Sequence, residues 1–310
     1  MVGVKFTTCH KCFAIVLLVL CCAGFKNTQA QTEHVTLDTA MIIAQRQGFV
    51  VADFIALVKA DTSFYQSFKN LHRYAYQVNG NLNVYDKTEN VIAGIARKAH
   101  QTTGTTHRVM VIDEDKFSGS ILDKKGNYNY YTAQLFNDIF FENTPVKLIE
   151  SKTAGKRNKH IEQLKTLLFS PGTSVKGVPL VGNKLQVFDT QQKYYDYFLN
   201  TAKYNDSLVC YVFTCTAKTN ATGQSNGNAI IKNLVTYFDK KTFQVIARKY
   251  EMQYASVAFD FDVTMDIKIS PVNGVFVPTY ISYMGNWDVA FKKEEKADFQ
   301  LKFFNWIIRP

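Results

Sequence analysis

The sequence predicts an α+β fold: one large, curved antiparallel sheet, an incomplete barrel, covered by N-terminal and central helices. Three observations predict it. Apolar residues fall at helical spacing as far as residue 72. From residue 257 to residue 269 every odd position is apolar and most even ones are polar. Residues 230–254 read as one long hairpin. Strict period two means one greasy face and one wet face, the pattern of an antiparallel sheet with a single covered side.

Taken in order, the first thirty residues read as a secretory signal peptide. Lys5 and Lys11 precede an apolar run, Phe13–Ala23, and the small-residue exit Thr28-Gln29-Ala30 follows it. Spanning a bilayer takes roughly 20 apolar residues, more than this run supplies. The expected division is 1–30 signal peptide and 31–310 a single α+β domain. That domain divides into a helical segment (31–72), mixed strands and helices (73–185) and an antiparallel meander (186–310). Cys21 or Cys22 as a lipidated terminus is the alternative to cleavage after Ala30.

Within Phe49–Lys59, the residues Val50, Phe54, Leu57 and Val58 share a helix face. Asp61-Thr62-Ser63 offers capping oxygens, and Phe64, Phe68 and Leu71 mark a second helix. Tyr74–Val78 and Asn81–Tyr85 then read as a hairpin around Asn79-Gly80, since that pair supplies a tight turn. Val91–Ala96, Arg108–Asp113 and Phe117–Leu122 are further strands, with Asp113-Glu114-Asp115 at a turn. Tyr130–Phe141 and Lys159–Phe169 are expected helices, and 170–184 a loose loop. Ser207–Thr216 is a strand that sends Cys210 and Cys215 to opposite faces, leaving two unpaired thiols. After the 230–254 hairpin come Val257–Ile269, Val275–Met284, Trp287–Lys292 and Asp298–Ile308.

Composition narrows function. The net charge of +10 falls to +7 once Lys5, Lys11 and Lys26 leave with the signal. That mild excess favours an anionic surface such as lipid headgroups, and solubility explains it equally. Nucleic acid is not an expected partner of an exported chain. No cofactor motif stands out: Gly177–Lys184 misses a phosphate loop by the placement of its lysine and the lack of a following Ser or Thr. Gly223-Gln-Ser225-Asn-Gly227 matches a nucleophile-elbow pattern, but polar Lys218–Thr222 precedes it and a strand follows, the context of a hairpin loop. His100 and His107 flank a turn and could approach one metal, short of the three or four ligands zinc wants. Asp260 and Asp262 lie on the wet face, where Arg248, Lys249, Lys268 and Lys302 offer cross-strand charge pairs.

At Tyr237-Phe-Asp-Lys-Lys-Thr-Phe-Gln-Val245, and through the alternating strands after it, the chain resembles the outer-membrane lipoprotein carrier and sorting proteins (LolA/LolB-like) over about residues 230–308. Its tyrosine-, lysine- and asparagine-rich style also resembles exported proteins of the Bacteroidota. The resemblance implies an incomplete barrel whose greasy concave face, lidded by helices, holds acyl chains. An apolar face of this kind is either filled by the protein's own helices or left open for an apolar guest. The leading expectation is a non-catalytic envelope protein, periplasmic, outer-membrane-associated or extracellular, that binds an apolar or lipidated ligand between sheet and helices. The expected lining is Phe259, Phe261, Val263, Met265, Phe299, Leu301 and Phe303. The partners expected are a lipid or lipoprotein acyl chain and a membrane surface. A secreted hydrolase using Ser225 or a His100/His107 metal is the alternative from another class, and a structural partner in an envelope complex is a third.

Overall fold

The computed structural model describes residues 51–147, 183–205, 207–220, 229–256, 259–289 and 294–308. The expected Lys159–Phe169 helix, most of the 170–184 loop and Ser225 lie outside them, as do the leader and Val257.

Eleven strands form one antiparallel sheet. They are β1 (Ala75–Tyr85), β2 (Val91–Thr103), β3 (His107–Gly119), β4 (Val146–Lys147), β5 (Tyr195–Tyr204), β6 (Leu208–Ala217), β7 (Ile231–Asp239), β8 (Val245–Tyr254), β9 (Phe259–Val272), β10 (Val275–Val289) and β11 (Glu295–Ile307). The spatial order is β4-β3-β2-β1-β11-β10-β9-β8-β7-β6-β5. The first and last of these are edges, so the curved sheet stays an open half-barrel. The one long-range pairing, β1 with β11, joins an N-terminal meander to a C-terminal one.

Three helices are described: α1 (Val51–Ala60), α2 (Ser63–Arg73) and α3 (Tyr131–Phe140). Phe54, Leu57 and Val58 on α1 are buried, as their spacing requires, and so are Phe64 and Leu71 on α2. Asp61 accepts the Ser63 N–H at 2.9 Å and starts α2. Among the described residues, no helix is long and apolar enough to cross a membrane.

The hairpin expected at Asn79-Gly80 does not exist. β1 runs straight through, with Asn79 opposite Lys98 and Gly80 opposite Arg97. Gly80 is there for clearance: a Cβ would sit 2.8 Å from the ring tips of both Phe136 and Phe141. The break expected after Met284 is also absent, and β10 continues through Gly285, over which the Tyr283 ring folds. In both places clearance for a ring, from a distant segment at Gly80 and from the same strand at Gly285, needs the glycine rather than turn formation.

Arg108–Asp113 and Phe117–Leu122, expected as two strands, are one through Gly119. Asp113-Glu114-Asp115 is not a turn. A register shift pairs Glu114 with Lys98 but Ile112 with Ala99, leaving Asp113 as the extra residue of a bulge. A side chain of β2 faces each acid: His100 Nδ1 meets Asp113 at 2.8 Å and Lys98 Nζ meets Glu114 at 2.7 Å. Arg97 takes Asp115 with Nε at 3.0 Å and Nη2 at 2.6 Å. Lys116 and Lys98 together hold the Glu114 carboxyl down at about 2. Cys210 and Cys215 are unpaired and buried on β6.

Candidate functional site

Alternation along β9 turns Phe261, Val263, Met265, Ile267 and Ile269 inward, each 3 % exposed or less. On β11, Phe299, Leu301 and Phe303 do the same at 3 %, 0 % and 4 %. Of Phe259, only the backbone at the start of β9 is described. The two strands are not neighbours; β10 lies between them and adds Ile281 and Tyr283. Cross-strand register then assembles the rows. Tyr283 stands opposite both Met265 and Phe299, and Ile281 opposite both Ile267 and Leu301.

One such row crosses ten of the eleven strands. From Tyr283 it passes through Met265, Tyr250, Leu234, Cys215 and Tyr197 to β5. The other way it passes through Phe299, Leu82 and Ile95 to Phe117 on β3. The bulge at Asp113 is what returns Phe117 to this face. Ten strands at about 4.8 Å spacing give an apolar band roughly 43 Å long around the curve. Its tyrosine hydroxyls keep partners: Tyr250 donates to Met265 Sδ at 2.6 Å, and Trp287 Nε1 donates to Tyr283 Oη at 2.6 Å. Burial pushes both phenols up, out of reach of physiological titration.

The helices lie on this face. The α3 rings of Phe136 and Phe140 sit 5.6 Å and 5.7 Å from Phe299, centroid to centroid. Phe54 of α1 enters a socket of Tyr211, Phe213, Phe238 and Phe243 at 5.3–6.1 Å. α2 crosses one end of the half-barrel. Its Ser63 hydroxyl accepts the Val245 N–H, Asn70 donates to Phe276 O, and Gln101 donates to Leu71 O and Tyr74 O. The polar ties are 2.6–3.1 Å long. Phe303, farther along β11, packs edge-on to Tyr76 at 5.4 Å.

Three arginines also point inward, and sequence reasoning found none of them. Arg248 was expected on the wet face; it is 8 % exposed and inward, its guanidinium 4.0 Å over the Phe64 ring. Burial pushes its pKa down to about 10, while the Asp61 charge opposes the shift. Arg97, 5 % exposed, makes the bidentate pair with Asp115 and gives Nη1 to Asn137. Arg108 is 8 % exposed and gives Nη1 to Gln101 Oε1 at 3.0 Å. The only signal in the sequence was parity, which the bulge and strand ends disguised.

The histidines do not converge. His100 is opposite Val111, and His107 is four residues farther along β3, roughly 13 Å away. His107 Nδ1 is 2.8 Å from the Thr106 hydroxyl. No group of three or more His, Cys, Asp or Glu side chains able to hold a metal occurs among the described residues. A hollow of about 440 Å³ lies on the opposite, wet face, floored by Gly94 and Ala96 and edged by Asn81, Asn83, Lys116, Ser118, Asp298 and Gln300.

No protein-family model matches the chain, and no curated relative matches it. Solved structures similar to it include a LolA superfamily protein from Nitrosomonas europaea, at 11% identity, covering 80% of this chain and 93% of that one with a TM-score of 0.24. A domain from Vibrio parahaemolyticus described as an outer membrane lipoprotein-sorting protein has 9% identity, covers 80% and 92%, and has a TM-score of 0.28. A DUF1329 family protein from Desulfovibrio piger has 11% identity, covers 79% and 91%, and has a TM-score of 0.25.

Proposed function

We propose that this chain is an exported, non-catalytic envelope protein, periplasmic or outer-membrane-associated, that binds an apolar or lipidated ligand between its sheet and its helices. One observation carries the reading: the apolar band across ten strands, longer than any of the three described helices that lie on it. A helix of ten residues is only about 15 Å long. A lining of Phe259, Phe261, Val263, Met265, Phe299, Leu301 and Phe303 would bury acyl carbon at about 0.8 kcal/mol per CH₂.

The way in that the packing favours is under α1. Buried polar bonds tie α2 and α3 to the sheet. α1 docks by inserting Phe54 into its aromatic socket and by a surface ion pair, Lys59 with Asp189. An exposed pair of this kind contributes little, about 0–1 kcal/mol. An aromatic plug can be exchanged for hydrocarbon without leaving a polar group unpaired.

The test is native mass spectrometry of the protein purified gently from its envelope, together with titration by an apolar fluorophore. The expected result is a lipid-sized adduct lost on delipidation and a saturable fluorophore site that the lipid competes for. No adduct together with no saturable fluorophore binding overturns the proposal.

A further inference from the structure

The inner face carries a buried cation with no ion-paired carboxylate among the described residues, and its position singles out a class of ligand. Arg97 shows how this fold satisfies a buried guanidinium: a bidentate carboxylate and an amide oxygen. Arg108, on the neighbouring strand, has an amide oxygen but no carboxylate. Its bond goes to the Gln101 amide, Nε is buried without a partner, and no carboxylate comes within ion-pair distance among the described residues. Glu142, the acid that acts on it electrostatically, stays beyond that distance, with one oxygen taken by the Thr144 hydroxyl at 2.6 Å. Leaving a charge buried and unpaired is among the more costly things a fold can do. Such a group calls for an explanation in what the protein binds.

The surroundings are polar on one side of the guanidinium and apolar on the other. Gln101 is committed through its amide nitrogen to two carbonyls at the end of α2, so its oxygen holds Arg108 in a fixed direction. Tyr76, opposite Gln101 on β1, brings a buried phenol close enough for its titration to feel Arg108. Met110 on β3, Ala99 on β2 and Val78 on β1 are apolar inner-face neighbours, so hydrocarbon surface begins directly beside the charge. Arg248 is different: the Phe64 ring covers its guanidinium, Thr236 takes its Nε at 3.1 Å, and Asp61 offsets its charge.

We propose that Arg108 is the anchor for an anionic head group, carboxylate or phosphate, on an amphiphile whose hydrocarbon lies along the inner face. This deepens the function proposed above and rests on it. The guanidinium would donate Nε and Nη2 to two oxygens of the head group, the fork geometry that suits both anions.

The experiment measures displacement of a bound apolar fluorophore by hexadecanoate, hexadecyl phosphate and hexadecanol, below the concentrations at which they aggregate. The expected result is that the anions bind at least about tenfold more tightly than the alcohol, as charge-assisted bonds in a dry site require. In Arg108→Gln that preference falls to near unity with alcohol binding unchanged, and Arg108→Lys retains part of it. Whichever anion binds more tightly identifies the head group. Equal binding of all three by the wild-type protein overturns the inference and leaves the binding function standing, as does a preference that survives Arg108→Gln. Displacement by none of them overturns the binding function itself. The wild-type ratio decides the matter even if a variant fails to fold.

Discussion

Glu295 holds α3 down from 163 residues away, and its removal is the sharpest test of how the apolar face is covered. Tyr130 at the N-cap makes no side-chain capping bond, and the first turn of α3 contains no acid. The helix start is served instead by the Glu295 carboxylate at the beginning of β11. Oε2 accepts Tyr131 N–H and Oε1 accepts Thr132 N–H, both at 2.7 Å. Hydrogen bonds to a charged group contribute about 1.5–3 kcal/mol each, and the helix dipole adds a few tenths at a partly exposed site. Glu295 is half-buried, so the low end applies. Glu295→Ala leaves two N–H groups unpaired and is expected to cost about 3 kcal/mol. Glu295→Gln keeps one acceptor and loses the charge, for about 1–2 kcal/mol. Urea unfolding at constant m reads both, since a midpoint shift without a slope change reports stability alone. Because α3 covers Phe299, the alanine variant should also bind an apolar fluorophore more readily. A Glu295→Ala midpoint within error of wild type, or a glutamine variant as costly as the alanine one, would refute the tertiary cap.

Two further outcomes follow from particular contacts. Gly80→Val should destabilise by about 1–3 kcal/mol, the usual range for overpacking, and Phe136→Leu in the same chain should recover part of it; additive losses in the unfolding midpoint would contradict the clearance role. Cys215, 0 % exposed, has its thiol pushed well up by burial, and Cys210 is equally buried, so neither should react with a thiol reagent until the protein is unfolded; prompt native labelling of Cys215 would contradict the packing.

The helical face Phe54, Leu57, Val58 and the period-two run of β9 were legible because burial on one side imposes periodicity, and periodicity is local. The 230–254 hairpin was legible for the same reason, aided by Asp239, whose carboxylate accepts the Lys241 N–H at 2.7 Å in the turn. Asn79-Gly80 misled because the same residue type serves two masters. A glycine permits a positive φ, and it also permits a ring from a distant helix to approach the backbone. Only the second applied, and the ring belongs to a segment more than fifty residues on. The acidic run at 113–115 misled similarly, reading as a turn where β2 in fact supplies His100, Lys98 and Arg97 opposite a continuous, bulged strand.

The sequence by itself determined that a strand meander turns one hydrocarbon face inward, and it singled out β9 and β11 as part of that face. Only the tertiary structure decided that β10 lies between them, that the face runs unbroken from β5 to β3, and that Arg97, Arg108 and Arg248 point into it. The reason is physical. Alternation within a strand depends on residues two apart, whereas register, bulges and the partner of a buried charge depend on which strands pair, and pairing of β1 with β11 joins segments separated by most of the chain.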